Sequence, residues 1–123
     1  MNFNQLDNWI KYMNAGDFDN LVSMYSEEAL LFATFDRQPL DTPSLIQGYF
    51  RSFFTKEGPG VELNSSSVRH TELGESTYSS TGLYTFFFQD DGQLIRHAAR
   101  FTFIFNQDNP GPILHHHSSL IPA

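Results

Sequence analysis

Arg100-Phe101-Thr102-Phe103-Ile104-Phe105, then a turn, then His115-His116-His117-Ser118-Ser119-Leu120-Ile121-Pro122, reads as a β-hairpin that closes the chain. The first arm is dense in aromatic and β-branched residues and carries a lone arginine. The second is rich in histidine and serine, and Asn109-Pro110-Gly111 between them supplies turn chemistry. Working backward, Tyr78 to Gln89 is a long strand, joined through Asp90-Asp91-Gly92 to a strand from Leu94 to Phe105. The last strand runs from Ile113 to Leu120, and a polar strand from Val61 to His70 precedes them all.

The first half of the chain has a different period. Leu6, Trp9, Ile10 and Met13 recur at helical spacing. Asn14-Ala15-Gly16-Asp17 stops that helix: the glycine suits a left-handed C-cap, and Asp17 can cap the next helix. Leu21, Val22, Met24 and Tyr25 predict a short second helix, and Ala29 to Phe35 a strand buried on both faces. Asp41-Thr42-Pro43 opens a third helix with a stripe of Leu45, Ile46, Tyr49, Phe50, Phe53 and Phe54, ended by Gly58-Pro59-Gly60. Helices followed by a strand meander predict an α+β domain, with helices on one face of an antiparallel sheet. Tyr84, Phe86 and Phe88 point one way and Leu83 and Phe87 the other, so both faces carry apolar groups. Helices can cover only one of them, and the other is expected to meet a second copy.

The 123 residues are the size of one domain, 1–123, and a net charge of −7 argues against nucleic acid or an anionic membrane as partner. The absence of cysteine removes disulfides, thiolate metal sites and cysteine nucleophiles. Neither a signal peptide nor an apolar run long enough to span a bilayer is visible, so the expectation is a soluble, cytoplasmic protein.

Taken in order, these segments resemble the nuclear transport factor 2-like superfamily. They are closest to the calcium/calmodulin-dependent protein kinase II association domain with its bacterial relatives, and to SnoaL-like proteins. The resemblance rests on Asn14-Ala15-Gly16-Asp17 with Met24-Tyr25, on Ala29 to Phe32, and on Ile46-Gln47-Gly48-Tyr49-Phe50. Thr81 to Phe86, Ala99 to Phe103 and the His115-to-Pro122 ending complete it. It implies a cone-shaped, curved antiparallel sheet wrapped around N-terminal helices, a deep pocket at the wide end, and a sheet face that pairs subunits.

The superfamily's ketosteroid isomerases use a helix tyrosine, a general-base aspartate on the first strand and a protonated aspartic acid on a late strand. The resemblance places Trp9 at the tyrosine and Ala33 at the base, and Leu94 to Phe105 contains no acid. Tyr12 and Asp36 are the nearest substitutes. That mechanism is therefore not expected, and no catalytic residue is assigned. In the kinase association domain, pocket arginines attract small carboxylates. Arg100 matches one of them, while Ser118 and Gly82 stand at two others.

A symmetric turn register would place Arg100 opposite Ser118 and Thr102 opposite His116, all on one face. The expected ligand-binding set is Arg100, His116, Trp9, Tyr49, Tyr84 and Ser118, holding a small anion or carboxylate more firmly as pH falls toward about 6. An ion pair between Arg100 and a helix acid is the competing structural reading. His115 and His117 share the opposite face without an evident third ligand, so neither metal nor cofactor is expected. The functional expectation is a small-molecule-binding, self-associating domain, a homodimer or larger homo-oligomer. The alternatives are a SnoaL-like isomerase, cyclase or hydrolase acting on a hydrophobic compound, and a pure oligomerisation module.

Overall fold

The computed structural model describes residues 1–123. Gly16, left-handed at φ 65°, ends α1 (Gln5–Ala15), and Asp17 caps α2 (Phe18–Ser23) by accepting from the Asn20 N–H. Thr42 caps α3 (Pro43–Phe54) through the Leu45 N–H, and Pro43 takes the first turn, where no N–H is needed. These three stops lie where the sequence reading put them. The strands are β1 (Tyr25–Phe32), β2 (Glu57–Leu63), β3 (Arg69–Glu72), β4 (Thr77–Asp90), β5 (Gln93–Asn106) and β6 (Ile113–Leu120). Asp91 and Gly92, with φ of 50° and 75°, make the tight β4–β5 turn.

The sheet order is β1-β6-β5-β4-β2, with β3 also beside β4. One pairing departs from the antiparallel expectation: β1 runs parallel to β6, with Leu31 beside His116, so the sheet is mixed. Gly111 lets the chain enter that pairing. A Cβ there would lie 2.6 Å from the Tyr25 carbonyl oxygen, closer than any side chain permits.

Three boundaries also differ. Tyr25 opens β1 instead of closing α2, and β1 stops at Phe32, leaving Phe35 beyond the strand. β1 alternates buried Ala29 and Leu31 with half-buried Leu30 and Phe32, so only one of its faces is fully covered. Gly58-Pro59-Gly60 belongs to β2, and Thr55 ends α3. The expected Val61–His70 strand is broken by a 3-10 turn at Ser65–Ser67. There Asn64 accepts from Ser66 through its side chain and from Ser67 through its backbone, and these local bonds displace the ladder.

The helices lie against one sheet face. Tyr78, Tyr84 and Phe86 of β4 and Ala99, Phe101, Phe103 and Phe105 of β5 turn into the core with Leu6, Trp9 and Met13 of α1. Asn14 pins α1 to the sheet, its side chain exchanging two hydrogen bonds with the Val61 backbone at 2.8 and 2.9 Å. The other sheet face presents Leu83, Phe87, Leu94, Arg96 and Arg100, all exposed except the half-buried Phe87. No helix is long and apolar enough to cross a membrane.

Candidate functional site

The β5–β6 register decides which side chains meet. Phe105 pairs with Ile113, as a symmetric turn requires, but Leu114 is then extra and Ile104 pairs with His115. From there every pairing is displaced by one residue: Arg100 lies opposite Ser119, Thr102 opposite His117, and Phe103 opposite His116. Because strand side chains alternate, the slip separates the expected set. Arg100 stands exposed on the outer face, its Nε donating to Ser119 Oγ at 3.3 Å, with His117 nearby. His116 and Ser118 are buried on the inner face, 2% and 4% exposed. Arg100 therefore neither shares a face with His116 nor sits in an internal ion pair. The alternation of Phe101, Phe103 and Phe105 already points Arg100 outward. The bulge at Leu114, which turns His116 and Ser118 inward, leaves no mark in the sequence.

Inside the cone, Trp9, Tyr84, His116 and Ser118 come together as expected, joined by two residues the sequence did not single out, Tyr25 and Thr34. Trp9 Nε1–H donates to Tyr25 Oη at 3.1 Å. Tyr25 Oη lies 2.9 Å from His116 Nδ1, and Tyr84 Oη lies 3.1 Å from His116 Nε2. Tyr84 donates to Ser118 Oγ at 2.6 Å, and Ser118 hydrogen-bonds Thr34 Oγ1. The imidazole is held by aromatic packing as well: Phe103 stacks on it at 3.8 Å and Trp9 meets it edge-on at 5.3 Å.

Burial sets the charge state of this chain. It pushes the His116 pKa well below the usual histidine value, and the flanking His115 and His117 push the same way. It raises the Tyr25 and Tyr84 hydroxyls well above the ordinary phenol range, with the Trp9 bond opposing it at Tyr25 and the Ser118 bond at Tyr84. The cluster is uncharged near neutral pH. His116 thus offers no cation to a carboxylate near pH 6, which removes the basis for the expected pH dependence.

The space beside this chain is small. Trp9, Ala33, Thr34, Tyr49, Phe53, His116 and Ser118 are among the residues bounding an inner void of about 10 Å³. Tyr49 and Phe53 also line an open recess of about 410 Å³, together with Phe35, Asp36, Leu40, Leu45, Gly48 and Lys56. Burial raises the Tyr49 pKa, with a smaller contribution from Asp36, against a backbone hydrogen bond from Phe35. The Lys56 ammonium sits 4.4 Å over the Phe88 ring. Asp36 is thus in the recess and not beside His116, and Trp9 and Ala33 both face the inner void. No three histidine, aspartate or glutamate side chains cluster in metal-ligating geometry.

A curved, unclosed sheet around three helices, with polar groups gathered inside, defines the nuclear transport factor 2-like class. The family model of the SnoaL-like domain matches residues 4–123, and the chain belongs to that family. No curated protein matches it in sequence. Among solved structures, it is similar to a Xanthomonas campestris protein provisionally described as a calcium/calmodulin-dependent protein kinase II association domain. The identity is 26% and the TM-score 0.84, over 97% of this chain and 84% of that one. A nuclear transport factor 2-like protein with a cystatin-like fold from Novosphingobium aromaticivorans gives 14% identity and TM-score 0.75, over 96% and 78%. An epoxide hydrolase/cyclase-like enzyme of pyran ring formation in the polyether salinomycin gives 14% and 0.75, over 94% and 87%. The last two likenesses speak for fold alone.

Proposed function

We propose that this domain binds a small, largely apolar molecule in the recess beside α3 and self-associates through its outer sheet face. The observation that carries the binding reading is the open recess of about 410 Å³, whose aromatic walls Tyr49 and Phe53 also line the inner void. An inner void of only about 10 Å³ favours a pure oligomerisation module, whereas the recess has room for a ligand. An enzymatic role would gain most from a histidine–carboxylate pair, and the partners of His116 are tyrosines. Binding without general-base chemistry is therefore the reading preferred.

Gly48 supplies the test. It lines the recess, and a Cβ there meets nothing within 4 Å, so Gly48→Leu should fill the site without a clash. Helix propensity favours that change by several tenths of a kcal/mol up to about 1 kcal/mol. Titrating 1-tetralone into the labelled protein should shift amide resonances along α3 and at Phe35 and Asp36. Gly48→Leu should weaken binding about tenfold or more while remaining folded. Unchanged spectra, or equal binding by the variant, would refute the recess as the site.

Self-association rests on the outer face, where exposed Leu83 lies opposite Arg100, Phe87 lies opposite Arg96, and exposed Leu94 follows beyond Arg96 toward the β4–β5 turn. A stable dimer buries roughly 1,200–2,000 Å² in total, an area that a face of this kind can supply. Light scattering at micromolar concentration should give a dimer or a multiple of it, and Leu83→Asp should shift it toward monomer. A wild-type monomer would sink this part of the reading.

A further inference from the structure

The buried chain from Trp9 to Thr34 has a direction. An indole nitrogen can only donate, so Trp9 Nε1–H gives its proton to Tyr25 Oη. The Tyr25 hydroxyl proton then has one acceptor in reach, His116 Nδ1. If Nδ1 instead carried the imidazole proton, the Tyr25 proton would be buried without an acceptor, at a cost comparable to a lost hydrogen bond. Neutral His116 is therefore the Nε2–H tautomer and donates to Tyr84 Oη. Tyr84 passes its own proton to Ser118 Oγ; either hydroxyl could donate in the Ser118–Thr34 bond, and Ser118, the more deeply buried of the two, keeps an acceptor for its proton only when it donates to Thr34 Oγ1. In this arrangement every donor up to Ser118 has an acceptor. The Thr34 hydroxyl proton has none within the chain, and Thr34 borders the inner void.

The void sets the size of what can meet that proton. About 10 Å³ is near the minimum for one water molecule, so one oxygen atom fits and a two-oxygen carboxylate head does not. The surroundings set the charge. The groups facing His116 and Ser118 are Trp9 from α1, Tyr25 from β1, Tyr84 from β4, Phe103 from β5, and Thr34; none is cationic. A buried anion there would be uncompensated.

Resting on the recess as the binding site, we infer that the ligand is an uncharged compound with an apolar body, presenting a single acceptor oxygen, such as a ketone or ether oxygen, to the Thr34 hydroxyl. The body lies in the recess, and the oxygen reaches the void at the wall that Tyr49 and Phe53 form between the two spaces, so their side chains must part to admit it. This replaces the expected anion held by Arg100.

Three matched probes test the idea: tetralin, 1-tetralone and tetrahydro-1-naphthoate, titrated by NMR. The wild type should bind the ketone about fivefold tighter than the hydrocarbon, the return from one net hydrogen bond, and the carboxylate more weakly than either. Thr34→Val should lower ketone binding to the hydrocarbon level and leave tetralin unaffected, and Thr34→Ser should retain the preference. A carboxylate that binds best, or a ketone indifferent to Thr34→Val, overturns the inference while leaving the recess reading intact. If no probe binds, the recess reading falls and takes the inference with it. A ligand-free measurement tests the polarity separately. Long-range ¹H–¹⁵N spectra should show His116 as the Nε2–H tautomer, and an Nδ1–H signature would overturn the direction of the chain.

Discussion

Below about pH 6.5 the protein should lose stability through His116, at a slope that rises toward a limit of about 1.4 kcal/mol per pH unit, in addition to whatever its carboxylates contribute. In the unfolded chain this imidazole is solvated and protonates near the usual histidine value of about 6.5. In the fold it is buried between Trp9 and Phe103, and both nitrogens are engaged by tyrosines. Burial depresses its folded pKa well below that value. As pH falls through the unfolded pKa, the unfolded state takes up a proton that the native state refuses. The contribution of this group is thus complete above about pH 6.5 and is lost progressively until the folded pKa is reached. His115, whose pKa is also lowered by burial and by His117, acts in the same direction. Urea unfolding of the wild type and of His116→Gln from pH 7.5 to 4.5 separates this term from the carboxylates. The two slopes should agree above about pH 7, and below pH 6.5 the wild type should become steeper, by at most about 1.4 kcal/mol per unit. Equal slopes would show that His116 takes its proton without leaving the core.

The same residue shows what a sequence discloses and what it hides. Stops carried by one residue's backbone or side chain were legible: the left-handed Gly16, the caps Asp17 and Thr42, the Asp91-Gly92 turn. So was the period-two burial of β4 and β5, because Tyr84, Phe86, Phe101 and Phe103 declare their face by their bulk. Trp9, Tyr84, His116 and Ser118 were named together, and they do meet. Arg100 was grouped with them by a register argument that failed at Leu114. A bulge there needs no glycine or proline, and one extra residue reverses the face of everything that follows. Tyr25 was read as helical because tyrosine fits the end of a helix as well as the start of a strand. Its role depends on β1 lying parallel to β6, a pairing between the two ends of the chain that local pattern does not specify. Thr34 takes its meaning from Ser118, 84 positions away.

Trp9→Ala should be the most damaging single substitution in the core, costing about 3–5 kcal/mol. Trp9 is fully buried and lies against Tyr84 at 5.7 Å, Phe103 at 5.3 Å and His116 at 5.3 Å. Truncation would open a cavity on three sides at once and remove the donor that begins the hydrogen-bonded chain. With a urea m-value of about 1–3 kcal/mol/M, the unfolding midpoint should fall by roughly 1–5 M. Packing and hydrogen bonding can be separated. Trp9→Phe keeps most of the ring contact but leaves Tyr25 Oη without its donor, and Tyr25→Phe keeps Trp9 but removes the acceptor for its N–H and the donor to His116. If packing dominates, Trp9→Phe should cost about 1–3 kcal/mol, well short of the alanine value. If the chain of hydrogen bonds dominates, Trp9→Phe and Tyr25→Phe should each approach Trp9→Ala. The first outcome is expected, because Tyr25 can still donate to His116 after Trp9→Phe, so only one bond of the chain is lost. A Trp9→Ala protein destabilised by less than about 1 kcal/mol would contradict the packing around Trp9, since no fully buried indole is removed so lightly.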